Sequence, residues 1–60
     1  MKYSKPWSPE LSLADDSWHQ WLLINAVSGV EYNLIFWSDS IDLEFFDLDR
    51  AQEFAAEFGL

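Results

Sequence analysis

Most of the side chains in this sequence that could do chemistry are carboxylates, and their spacing points away from catalysis. Asp39, Asp42, Glu44, Asp47 and Asp49 lie close together in the chain. Such a run invites a Ca²⁺ reading. A calcium loop, however, needs ligands in D-x-D-x-D-G spacing and a glycine for its sharp turn, and this run has neither. Two carboxylates can also serve as acid and base in glycoside chemistry, but only across a cleft that a 60-residue chain scarcely provides. His19 is the only histidine and there is no cysteine, so no thiolate nucleophile, disulfide or thiolate zinc site can form. No Gly-x-Ser-x-Gly, glycine-rich phosphate loop or HExxH occurs. The expectation is a protein that is not an enzyme and uses no cofactor or metal.

What the carboxylates do supply is field. Eleven acids oppose three bases, for a net charge of −8. Lys2 and Lys5 stand at the start, so from Pro6 onward Arg50 alone faces all eleven acids. Half of the residues are apolar and 18% are aromatic, which is not the composition of a disordered chain. A folded domain therefore carries a self-repulsion that it would be more stable without. A negative surface disfavours direct contact with nucleic acid or anionic lipid. No apolar run reaches the roughly 20 residues of a membrane span, and the first ten residues lack the apolar core of a secretory signal. The expected setting is the cytoplasm.

The elements that must position these groups follow from periodicity. Residues 1–9, with Pro6 and Pro9, read as an N-terminal arm, and residues 10–60 as one small domain. Glu10–Ala14 alternates and could form a short edge strand. Ser17–Val27 fits two periods. As a helix it would start at an Asp or Ser cap and gather Trp18, Trp21, Leu22 and Ala26 on one side. As a strand joined to Val30–Trp37 by Ser28-Gly29, it would pair Val27 with Val30, Leu23 with Leu34 and Trp21 with Phe36, all on one face. Those three coincident pairs favour the strand. Ile41–Phe46 alternates, with Ile41, Leu43 and Phe45 inward and Asp42 and Glu44 outward. Asp47–Phe58 is an amphipathic helix capped by Asp47 and stopped by Gly59, with Leu48, Ala51, Phe54, Ala55 and Phe58 on its apolar stripe. The expected fold is α+β: a three- or four-stranded antiparallel meander with one C-terminal helix packed on one face.

This layout nominates two surfaces. Asp49, Glu53 and Glu57 form a line along the helix. Like charges at that spacing cost about 0.2–0.5 kcal/mol per pair, so the line hints at a partner that needs it, although a solvated helix face is the ordinary meaning of such residues. The outer strand face would carry Glu31, Asp42 and Glu44 beside Trp18, Leu22, Ile24, Ile35 and Trp37. Tryptophans ringed by acids suit a protein interface, unless the N-terminal arm covers them.

In size, acidity and lack of catalytic motifs the whole chain resembles the small acidic inhibitors of phages and mobile elements, including DNA-mimic anti-CRISPR proteins. The resemblance implies a non-enzymatic inhibitor that occupies the nucleic-acid-binding surface of a basic protein, such as a CRISPR effector or nuclease, in the host cytoplasm if phage-encoded. These inhibitors share no diagnostic motif, so the partner-binding residues nominated here, Glu31, Trp37, Asp42, Glu44, Asp49, Glu53 and Glu57, come from the faces described above. The alternative is a structural or assembly module, or a homodimer, that uses an exposed aromatic sheet face. An antitoxin or immunity protein is a variant of the inhibitor reading.

Overall fold

Ser40–Phe45, with its strict alternation, is the middle strand of the sheet and organises the rest. Ile41, Leu43 and Phe45 are buried, while Ser40, Asp42 and Glu44 on the other face are partly covered. The computed structural model describes all 60 residues. In chain order the elements are β1 (Lys2–Pro6), a single 3-10 turn (Leu13–Asp15), α1 (Ser17–Asn25), β2 (Tyr32–Phe36), β3 (Ser40–Phe45) and α2 (Leu48–Phe58). The sheet is antiparallel throughout, with strand order β1-β3-β2.

The α+β class and a C-terminal helix packed on the sheet are as the sequence implies; the connections differ. Ser17–Val27 forms no strand: its first nine residues are α1, so Ser28-Gly29 is not a hairpin pivot. Asp16 decides the matter locally. Its carboxylate accepts the His19 amide at 3.0 Å and caps the helix, while Lys5 pairs with it at 2.5 Å. The helical set then packs on the core: Leu22 is fully buried, and Trp18, Trp21 and Ala26 lie against it. Leu23, Val27 and Val30, expected in cross-strand pairs, are exposed instead. Gly29, at φ 80°, lets the 26–31 segment turn back into β2, where its amide bonds the Tyr32 carbonyl at 2.8 Å.

The hairpin that does form joins β2 to β3 through Ser38-Asp39, closed by the Trp37 amide on the Ser40 carbonyl at 2.9 Å. The third strand comes from the expected arm. Residues 2–6 pair along β3, placing Tyr3 beside Leu43 and Lys5 beside Ile41, so the sheet is not a meander. Glu10–Ala14 is not a strand but leads through a turn into the 3-10 turn, with Ser12 accepting the Ala14 amide.

Two helices, not one, lie on the same sheet face. Leu22, Tyr32, Leu43, Phe45, Ala51 and Phe54 make the core, with Phe54 at its centre. Its ring meets those of Tyr3, Trp18, Trp21, Phe45 and Phe58 at centroid distances of 4.8–5.7 Å. Large rings thus supply the buried area that a short chain without disulfides needs. The Asp47 side chain caps α2 through the Arg50 amide at 3.1 Å, and Gly59 ends it at φ 69°.

Candidate protein interface

The nominated residues divide between two opposite sides of the molecule. Asp49, Glu53 and Glu57 project from the exposed side of α2, away from Ala51 and Phe54. One helical turn separates each from the next, a rise of about 6 Å. Glu31 belongs with them. It precedes β2 rather than lying on the outer strand face. Its Oε1 accepts the Val27 amide at 2.9 Å, and its Oε2 stands 3.2 Å from Arg50 Nε, an ion pair rather than an aligned hydrogen bond. Arg50 also reaches both oxygens of Glu53, at 2.9 and 3.0 Å. The Glu53 and Glu31 charges push the guanidinium above its already high ordinary pKa.

Trp37, Asp42 and Glu44 lie on the sheet face that neither helix covers. The register gives that face Lys2, Ser4 and Pro6 from β1, Ser40, Asp42 and Glu44 from β3, and Asn33 and Ile35 from β2. It is mainly polar. Trp18, Leu22 and Ile24, expected there, are on α1 instead, so the second apolar sheet face does not exist. Only Ile35 and Trp37 remain of that set.

Asp42 is held tightly on this face. Ser4 Oγ donates to it at 2.6 Å, Trp37 Nε1 donates at 3.0 Å, and Lys2 Nζ stands 3.6 Å away. The Ser4 hydroxyl first, then the Trp37 N–H, hold its carboxyl below the ordinary value, against the effect of burial. Asp42 is therefore satisfied within its own fold. Glu44 stands between Lys2 and Asn33 with no side-chain bond of its own, and Trp37 is 55% exposed.

All three cations are engaged internally: Lys2 by Asp42, Lys5 by Asp16, and Arg50 by Glu31 and Glu53. Eleven carboxylates less these four leaves seven without a cationic partner: Glu10, Asp15, Asp39, Glu44, Asp47, Asp49 and Glu57. Each side-chain cation thus has a carboxylate of its own chain beside it, Lys2 the most loosely, with its side chain 55% exposed. Asp39, in the β2–β3 turn, is an exposed acid that the faces drawn from sequence omit. Arg50's bridge to Glu31 was not readable in advance, because the pair spans the α1–β2 connection and the start of α2. No three His, Asp or Glu side chains converge as metal ligands would.

These features define an acidic α+β domain with two helices on one face of a three-stranded sheet. The chain matches no protein-family model, no curated protein and no solved structure.

Proposed function

We propose that the protein is a non-enzymatic acidic binding protein that inhibits a basic partner by occupying its nucleic-acid-binding surface, in the manner of DNA mimics and anti-CRISPR inhibitors. One observation carries this reading: each of the three side-chain cations already pairs with a carboxylate of the same chain while seven carboxylates pair with none, so the unbalanced charge offered outward is negative. A groove built to hold phosphates attracts such a surface at long range, with fast and salt-sensitive association. The α2 side, with Asp49, Glu53 and Glu57 beside Glu31, is the docking face. Glu44, Asp42 and Trp37 on the sheet form a second contact area. A CRISPR effector or a nuclease is the kind of partner this chemistry suits. No helix is long and apolar enough to cross a membrane, and the proposed action is in the cytoplasm, that of the host if a phage encodes the protein.

Reversing Glu53 and Glu57 together to Lys tests the reading. The double variant is expected to lose inhibition of its target by at least about tenfold at low salt, because a complementary pair becomes a like-charge one. Unchanged inhibition by a folded double variant overturns it.

The half-exposed Trp37 favours a second reading, an assembly module held by aromatic contact. Binding that survives both the double reversal and high salt, but is lost in Trp37→Ala, supports that module instead.

A further inference from the structure

The two edges of the sheet are not alike. β1 carries Lys2, Lys5 and Pro6, the residue types that keep a strand edge from pairing with a stranger. The other edge, β2, reads Tyr-Asn-Leu-Ile-Phe and holds no charge and no proline.

Hydrogen-bond parity shows which groups that edge offers. Trp37 bonds Ser40, and Glu31 accepts from Phe46, so the odd-numbered residues of β2 point their backbone groups at β3. Those of Tyr32, Leu34 and Phe36 therefore point outward. The Tyr32 carbonyl is taken by Gly29, and the 28–29 turn lies against that end. Leu34 and Phe36 bond nothing there, and Phe36 is 49% exposed.

We propose that β2 pairs antiparallel with β2 of a second copy, about a two-fold axis at Ile35, to make a continuous six-stranded sheet. The blocked Tyr32 end sets the register. With the axis at Ile35, the free N–H and C=O groups of Leu34 meet those of Phe36 in the other copy, and the reverse, giving four backbone bonds. Ile35 then stands opposite its own equivalent, Leu34 packs beside Phe36, and Asn33 lies opposite the half-exposed Trp37. Every side-chain pair is uncharged and self-complementary, as a two-fold interface requires. The occupant is a second copy because the edge matches itself residue for residue. The net charge opposes this association, so salt strengthens it. Binding to a basic target has the opposite salt dependence, and the two proposals stand or fall separately.

Sedimentation velocity on the intact chain, from about 10 µM to 1 mM and at low and high salt, tests the pairing. The expected result is a concentration-dependent shift from the 7.0 kDa monomer toward twice that mass, greater in high salt. Two variants check the register. Phe36→Pro removes an outward N–H that β3 does not use. Ile35→Lys puts like charges opposite each other at about 4.5 Å between Cα atoms in the dimer, yet faces Asp42 in its own sheet. Ile35→Lys is expected to keep the wild-type circular dichroism and to remain at 7.0 kDa throughout. Wild type that stays monomeric at 1 mM in high salt overturns the proposal and leaves the edge to a partner's strand. So does an Ile35→Lys variant that dimerises like wild type.

Discussion

Lys5 on the first strand and Asp16 at the head of the first helix form an ion pair, Nζ to Oδ2 2.5 Å, and the same ammonium sits 4.8 Å from the centroid of the Trp18 ring. One cation thus ties the N-terminal strand to the helix cap and to an aromatic wall of the core. The Asp16 side chain is largely shielded and also accepts the His19 amide. Asp16→Ala loses both roles and is expected to destabilise the domain by about 1–2 kcal/mol, near the upper end for a lost cap. Asp16→Asn keeps the acceptor for His19 and loses less. Urea unfolding followed by tryptophan fluorescence measures both; equal losses would mean that the cap hydrogen bond contributes nothing beyond the ion pair.

Acid should weaken the fold through two identified carboxyls. Burial raises Asp16, but Lys5 and the His19 amide outweigh it, and the net shift is down from 3.8. Asp42 is lowered from the same value by Ser4 and Trp37. A carboxyl with a depressed folded pKa contributes stability above its unfolded value and loses it as pH falls through the folded one. The contribution should therefore be complete at neutral pH and disappear as pH drops below 3.8. Relief of carboxylate repulsion acts in the opposite direction over the acid range. Urea midpoints measured against pH should fall on the acid side for wild type and fall less steeply for Asp16→Asn combined with Asp42→Asn.

Phe54 touches rings from β1, α1, β3 and its own helix. Removing it should be close to the whole stability of the domain. A Phe→Ala change in a core costs about 3–5 kcal/mol. A chain of this length at about 0.05–0.15 kcal/mol per residue has roughly 3–9 kcal/mol in total. Phe54→Ala is expected to be unfolded or nearly so at 25 °C, with loss of the near-ultraviolet circular dichroism of the packed tryptophans. Phe54→Leu, which leaves a smaller void, should still fold.

Where local pattern and tertiary demand agreed, the fold was legible. β3 alternates because one face is buried, and α2 shows a cap, a stripe and a glycine stop. The helical state of α1 is hidden in the sequence for a physical reason. Trp18 to Ile24 is apolar nearly all the way round, and Ile24 is 82% exposed, so helical periodicity is faint and alternation fits as well. The better clue was Asp16, whose cap is local chemistry. β1 was hidden because, between Lys2 and Pro6, only Tyr3 faces the core with a large apolar group; its strand state comes from pairing with β3, not from its own composition. The helix half of the candidate site, Asp49, Glu53 and Glu57, followed from spacing. Alternation also places Asp42, Glu44 and Trp37 on the open sheet face, but not Glu31, nor the partners of Asp42, which arrive from β1 and from the residue after β2.

Glu57 should separate stability from function. It lies in the last turn of α2, where the helix dipole disfavours a negative charge, and no cation in the molecule pairs with it. Glu57→Lys is expected to stabilise the domain by about 0.5 kcal/mol through the dipole and the removed Glu53 repulsion. Thermal unfolding reads that gain. The same variant should bind the target more weakly, which a purely structural role for Glu57 does not require.

The most direct test is affinity capture from the source cells with the intact protein as bait, at low and high salt, with identification by mass spectrometry. The expected catch is a basic nucleic-acid-binding protein that is retained at low salt, released at high salt, displaced by duplex DNA, and absent when Glu53 and Glu57 are both Lys. A partner that is acidic or neutral, or one that holds through high salt and the charge reversal, would contradict mimicry of nucleic acid.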